Sequence, residues 1–253
     1  SAKGIFQDRQ GNYWVYHDPG GIGISMLLKG FAHFDNNNQD YWHTSDINIV
    51  ALQEDKDGNL WLGNSTNGID IFNWHTGKTI RYYYNSNDRY SLGQGATMSL
   101  FRDSRGTMWI GTYLGGLQYF DAKTRRFISY RHNESNPYSI AGNDVRSITE
   151  DDDGNLWLAI HGKGVDKFDL KQKRFFHYTK AQNRLANNWT YQVLTDHRGD
   201  LWVGTLKGLS RLKKGESVFE SWRSEFTDTT TIPNDCVTIL HEDKNNTMWV
   251  GTT

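Results

Sequence analysis

The stretch Asp151-Asp152-Asp153-Gly154-Asn155-Leu156-Trp157 decides the fold. Before it runs Val145-Arg146-Ser147-Ile148-Thr149-Glu150, and from its end runs Leu156-Trp157-Leu158-Ala159-Ile160. Two short runs of this kind on either side of turn residues predict a β-hairpin. In such a turn the aspartate accepts backbone N–H groups, the glycine takes positive φ, and the asparagine opens the second strand.

The same frame recurs from Asp8 to Trp14, in Asp55-Lys56-Asp57-Gly58-Asn59-Leu60-Trp61, from Asp103 to Trp109, from Asp196 to Trp202, and, with Asn246 in place of glycine, from Asp243 to Trp249. Successive tryptophans stand 47, 48, 48, 45 and 47 residues apart. Each period holds a third strand opened by glycine, as in Gly164-Val165-Asp166-Lys167-Phe168, and a fourth rich in aromatics, as in Phe175-Phe176-His177-Tyr178. One such sheet cannot cover both of its faces, so stacking against neighbours about an axis is the physical solution. The expected fold is all-β, a β-propeller of four-stranded antiparallel blades forming a single region over residues 1–253. The first-to-second-strand turns lie on one face. The fourth-to-first and second-to-third connections lie on the other, and the repeated tryptophan packs between blades. Five units and a final hairpin give 22 strands, about five and a half blades. A closed ring of five, six or seven blades needs 20, 24 or 28. The sequence is therefore expected to be a piece of a larger seven-bladed or double propeller, with missing blades or another chain covering its open faces.

Composition narrows the function classes. Twenty-eight Lys and Arg balance 29 Asp and Glu, for a formal charge of −1, so the positive footprint of a nucleic-acid binder is missing and no nucleic-acid partner is expected. Hydrophobic residues are only 36% of the chain, yet 10 Trp, 13 Tyr and 12 Phe are too many for a disordered segment and imply an aromatic core. The longest apolar run, Ile24-Ser25-Met26-Leu27-Leu28, is far short of a membrane span, and the start at Ser1-Ala2-Lys3 has no signal-peptide character. Cys236 is the single cysteine, which excludes an intramolecular disulfide and a multi-cysteine zinc scaffold.

No catalytic or metal constellation emerges, and no cofactor is implied. The nine histidines, among them His17, His43, His75, His161, His197 and His241, show no ligand spacing. The recurring aspartates are explained by the turn itself, and the glycine pairs lack the strand-to-helix setting of a phosphate loop. A scaffold needs the shared letters and a ligand needs the exceptions. Three exceptions fall on the connection face: Ala159-Ile160-His161 in place of Gly-Thr, Trp189 at a strand start that is elsewhere aliphatic, and Tyr113 after Gly111-Thr112. Aromatic planes beside polar groups suit sugar faces. Lys163, Lys207, Arg146 and His17 would add donors and, if several converge, favour an acidic or sulfated sugar.

The frame E-D-x-x-G-N-L-W-L-G-T-x-x-G-G-L-x-x-F-D, seen in Glu54 to Phe72, Asp103 to Asp121 and Glu150 to Asp169, resembles the two-component regulator propeller repeat, as does the spacer Ser135-Asn136-Pro137-Tyr138-Ser139-Ile140-Ala141-Gly142-Asn143. The resemblance covers essentially the whole chain. It implies the periplasmic sensor of a hybrid two-component receptor in glycan-degrading gut bacteria, an ectodomain of an inner-membrane protein, with two consecutive propellers ahead of a β-sandwich, a membrane helix, a histidine kinase and a regulator. It further implies an oligosaccharide ligand, transcription of glycan-utilisation genes as output, a homodimer in the full receptor, and no catalysis by this region. Two alternatives stand beside it. A propeller enzyme such as a streptogramin-type lyase would need a His, Glu and metal cluster on one face, and a pure interaction or dimerisation platform would bind no small ligand. A sialidase-like turn is disfavoured because its serine is missing.

Overall fold

The computed structural model describes residues 2–17, 21–26, 30–34, 48–66, 68–73 and 75–253, with side chains described over 5–15, 48–66, 68–73 and 75–253. The side chain of His17, the histidine at position 43 and the end of the apolar run at Leu27 and Leu28 lie outside the described residues. Among the described residues no helix is long and apolar enough to cross a membrane.

The chain divides into two compact units, Ser1–Ser129 and Tyr130–Thr253. The first carries three sheets: β1 (Ala2–Gln7), β2 (Tyr13–His17), β3 (Gly21–Met26) and β4 (Gly30–Phe34); β5 (Ile49–Glu54), β6 (Leu60–Asn64), β7 (Gly68–Asn73) and β8 (Lys78–Tyr83); and β9 (Thr97–Arg102), β10 (Met108–Thr112), β11 (Leu117–Asp121) and β12 (Arg126–Tyr130). The second carries β13 (Val145–Glu150), β14 (Leu156–Ile160), β15 (Gly164–Asp169) and β16 (Arg174–Tyr178); a single-turn helix α1 (Lys180–Asn183); β17 (Thr190–Thr195), β18 (Leu201–Thr205), β19 (Gly208–Leu212) and β20 (Glu220–Trp222); and the hairpin β21 (Val237–Glu242) and β22 (Met248–Thr252). Within each sheet the strands pair in sequence order and antiparallel. Five four-stranded sheets and one hairpin are the repeat units of a β-propeller, as the tryptophan spacing predicts.

The turn that sets the period is built the same way six times. Oδ1 of Asp151 accepts from the backbone N–H of Asp153 and Asn155 at 3.1 and 2.8 Å, and Oδ2 accepts the Trp157 indole N–H at 3.0 Å. The indole bond recurs at Asp8, Asp55, Asp103, Asp196 and Asp243 with lengths of 2.8 to 3.0 Å. One carboxylate thus fixes both the turn and the rotamer of the tryptophan six residues on. Burial pushes the Asp151 carboxyl up, but the Asn155 and Trp157 donors and the Lys167 charge outweigh it and hold the group below its ordinary value. Position four of the turn needs positive φ. Glycine supplies it at Gly154 (φ 79°), and Asn246, the one replacement, adopts φ 63°.

Trp61, Trp157 and Trp202 each serve the next sheet in their unit. Trp61 sits in a cluster with Leu100, Met108, Ile110 and Phe127 and meets Phe120 edge-on at 5.2 Å. Trp157 packs with Leu185, Val193, Val203 and Phe219, and Trp202 with Val237, Leu240 and Val250. A tryptophan of this kind removes roughly 150–250 Å² from water, a gross gain of about 4–6 kcal/mol at about 25 cal/mol/Å². Trp249 makes the same indole bond yet is 60% exposed.

The first strands of neighbouring sheets are tied by polar rungs. Ser147 Oγ accepts from Val193 N at 3.2 Å, Thr149 Oγ1 accepts from Thr195 N at 3.3 Å, and the Gln192 amide grips both backbone groups of Leu240, accepting from its N at 2.7 Å and donating to its O at 3.1 Å. Buried threonines repeat a further tie: Thr190 Oγ1 donates to Gly164 O at 2.9 Å and Thr97 Oγ1 to Gly68 O at 3.2 Å.

Candidate functional site

Every first strand carries a β-bulge at its second residue. The register skips between Ile49 and Ala51, Val145 and Ser147, Thr190 and Gln192, and Val237 and Ile239, and in β9 Thr97 and Ser99 pair while Met98 does not. A bulge re-aims the side chain it carries. The residues so displaced are Val50, Met98, Arg146, Tyr191 and Thr238. They differ in chemistry from repeat to repeat, while the aspartate and tryptophan of the turns do not.

In the second unit, the bulge residue Tyr191 meets the repeat-breaking His161, and a second bulge residue, Arg146, acts on Tyr191 through its charge. His161, in the β14–β15 connection, stands edge-on to Trp189 with centroids 4.7 Å apart and planes at 90°, and lies 5.2 Å from Tyr191. Its Nδ1 lies 3.0 Å from Thr190 O, so that nitrogen carries the proton and Nε2 is left to interact. Trp189 is 50% exposed; its backbone is fixed by Asn187 Oδ1, which accepts from its N at 2.8 Å, and by Leu206 N, which donates to its O at 2.9 Å. It stands one residue before β17, not in the strand as the sequence suggests, because pairing begins at Thr190. The Tyr191 phenol is pushed up by burial and by its hydrogen bond to Cys236, against the Arg146 charge that lowers it, so the hydroxyl stays protonated and able to donate. Arg146 is held by Asp144 through Nε and Nη2 at 2.7 and 2.9 Å. The result is a partly open indole edge-on to an imidazole, which in turn meets a phenol that feels an oriented guanidinium, a set that can stack on an apolar ring face and bond its hydroxyls.

The other expected residues are placed more loosely. Lys163 is exposed two residues beyond His161, its stem over Gly142. Lys207 is exposed in the β18–β19 turn, its backbone N bonded to Thr205 Oγ1 at 3.2 Å. Tyr113, 46% exposed, belongs to the first unit, in the β10–β11 turn, with its N bonded to Ala96 O at 3.0 Å. Sequence reasoning missed Tyr191, Cys236 and Asp144. The available signal was the six-residue length of first strands against five for second strands, which is the bulge. Among the described residues no group of three or more His, Cys, Asp or Glu is arranged to hold a metal ion.

A second polar series lies inside the sheets. The third strands place Asp70, Gln118, Asp166 and Ser210 in full burial at matching positions. The last three capture the connection ahead of their own sheet: Gly93 N donates to Gln118 Oε1 at 2.5 Å, Ala141 N to Asp166 Oδ2 at 2.7 Å and Ala186 N to Ser210 Oγ at 3.0 Å. The facing fourth-strand residue completes each pair, with His177 Nδ1 at 2.7 Å from Asp166 Oδ1 and Ser221 Oγ at 2.8 Å from Ser210 Oγ. These buried letters position the connection that carries Trp189 and the one that leads into β13 with its Arg146.

The sheets and their indole-bearing turns define a β-propeller. Residues 44–66, 91–114, 139–162 and 231–253 match the family described as two component regulator propeller. No curated protein matches the chain by sequence. Among solved structures it is similar to the extracellular domain of the hybrid two component system protein BT3049 of B. thetaiotaomicron, at 20% identity and a TM-score of 0.75 over 99% of this chain and 38% of that one. It is similar to the extracellular domain of BT4673, described as a one component system of the same organism, at 20% identity and 0.78 over 100% and 33%. A catalytically inactive virginiamycin B lyase of Staphylococcus aureus solved with quinupristin gives 15% identity and 0.71 over 99% and 76%. At these identities the likeness is one of fold. The chain spans about a third of the length of the two sensor domains.

Proposed function

We propose that this propeller region is the extracytoplasmic, periplasmic part of a hybrid two-component receptor, and that it recognises an oligosaccharide released from a polysaccharide without turning it over. The receptor, working as a homodimer with further propeller blades, would then control genes for using that glycan. The observation that carries the reading is the half-exposed Trp189 held edge-on by His161 beside Tyr191 and Arg146. The repeats of a two-component regulator family and the sensor domains among the structures of like fold support it.

The test is a titration of the protein with a panel of neutral, acidic and sulfated oligosaccharides, followed by intrinsic fluorescence and by melting temperature, with product analysis of the same mixtures. One glycan class should bind saturably and raise the melting temperature by mass action. Trp189→Ala should abolish that binding with little effect on unfolding, since the indole is half exposed. Silence across the panel would leave only an interaction platform, and a cleaved or eliminated product would make the region an enzyme; either result overturns the reading.

A further inference from the structure

The tryptophan spacing shortens once, from Trp157 to Trp202, and the residues lost come from the connection that holds α1. In the other two central connections a tyrosine caps the outermost strand. Phe127 N donates to Tyr90 O at 2.9 Å with Arg126 over the Tyr90 ring at 4.5 Å, and Phe175 N donates to Tyr138 O at 3.0 Å with Arg174 over Tyr138 at 4.5 Å. In the shortened connection Phe219 N donates to Asn183 O at 2.8 Å. An asparagine stands where the capping tyrosine stands elsewhere, and the cap is gone.

Beside it a pocket of about 510 Å³ opens between this connection and the end of β20. Leu185 and Ala186 form its floor; Lys180, Arg184, Arg223 and Glu225 form its walls. Three cations therefore face one carboxylate in a chain whose formal charge is −1. Among the described residues none of the three cations has a carboxylate within 4.0 Å. Arg184 is also held in the left-handed region, at φ 61° and ψ 26°, where glycine or asparagine is the comfortable residue. Elsewhere among the described residues, left-handed non-glycine residues fall in the tight strand-to-strand turns, at Arg125, Lys173 and Asn246. The Arg184 carbonyl accepts from Ser221 Oγ at 3.2 Å, which fixes the backbone at the pocket, and Arg223 Nη2 donates to Ala186 O at 3.5 Å.

We propose that this pocket binds a tetrahedral oxyanion, a sulfate or phosphate group, through Arg184, Arg223 and Lys180. Planar guanidinium forks match such a group bidentately and the lysine adds a point charge. The pocket is open to solvent and leaves room for an anion carried on a larger molecule. The site is separate from the Trp189 cluster and stands whether or not that cluster holds a sugar.

The experiment follows arginine Nε resonances and heat of binding while the protein is titrated with inorganic sulfate, inorganic phosphate and N-acetylglucosamine 6-sulfate, each against chloride at constant ionic strength. Saturable binding beyond the chloride control is expected. Arg184→Gly, which relieves the backbone and should fold at least as well, weakens it about tenfold or more, as does Arg223→Gln. Glu225→Gln tightens it, and Trp189→Ala leaves it unchanged. Tighter binding of the sugar sulfate than of the free ions places the anion on a glycan; the reverse order places it on a phosphate or sulfate carrier of another kind. No binding beyond chloride, or an Arg184→Gly protein that binds like the parent, overturns the proposal.

Discussion

His177 lies between two acceptors, with Asp166 Oδ1 2.7 Å from its Nδ1 and the Pro137 carbonyl 3.1 Å from its Nε2. A neutral imidazole has one N–H and can serve only one of them; burial pushes the buried Asp166 carboxyl up, but the Ala141 N–H and the doubly protonated His177 ring both favour its carboxylate, and that charged pair satisfies both acceptors. The hydrogen bond to Asp166 raises the His177 pKa above its ordinary 6.5. His132 also faces Asp166 electrostatically, and its Nδ1 lies 2.8 Å from Ile140 O in the same connection.

The stability this clamp contributes is fully present below the unfolded histidine pKa and is lost as pH rises through the raised folded value. Thermal unfolding from about pH 5 to pH 9 should show a decline on the alkaline side that His177→Gln flattens. Parallel curves for parent and variant would show that the imidazolium carries no linkage.

The repeated indole has two different settings. Trp157 is 6% exposed and Trp249 60%, though both donate to their turn aspartate. Urea denaturation of Trp157→Ala should show a loss of about 3–5 kcal/mol. Trp249→Ala should lose less than half as much, because only the hydrogen bond and a partial contact are removed.

Gln192 bonds both the N–H and the C=O of Leu240. Gln192→Ala leaves two backbone groups of a neighbouring first strand without their partner, a cost of about 1–3 kcal/mol. Hydrogen exchange at the Leu240 amide should quicken in this variant by more than at amides of β13, to which the Gln192 side chain gives no hydrogen bond.

Two glycines two residues apart should respond differently to alanine. Gly162 has φ 77° and open space around its missing Cβ, whereas Gly164 has φ 100° and faces the Tyr178 carbonyl. Gly162→Ala should cost about 1–2 kcal/mol of backbone strain. Gly164→Ala adds a clash with backbone that cannot move without breaking β15 from β16, and should lower the melting temperature by several times as much.

Much of this fold is legible in the amino-acid sequence alone. Asp151 and Trp157 reveal the hairpin because one carboxylate must satisfy both the turn and the indole, and that constraint repeats in letters. The chemistry at the connections is harder to see. Arg146 reads as a lone donor, yet its direction follows from a bulge, and a bulge adds one residue to a pairing register without disturbing the tryptophan spacing. Tyr191 is hidden for the same reason, since counting strands from Trp189 assigns it to the wrong side. The shortened Trp157-to-Trp202 interval does announce an irregular connection, but not that it would fold as one helical turn and open a pocket.

The bulge at the second residue of each first strand separates two jobs that a regular strand would merge. The hydrogen-bonded ladder resumes one residue later whatever side chain is extruded, so Val50, Met98, Arg146, Tyr191 and Thr238 answer to neither core packing nor pairing. Such a scaffold can acquire a new preference through one substitution per repeat while its folding instructions stay untouched.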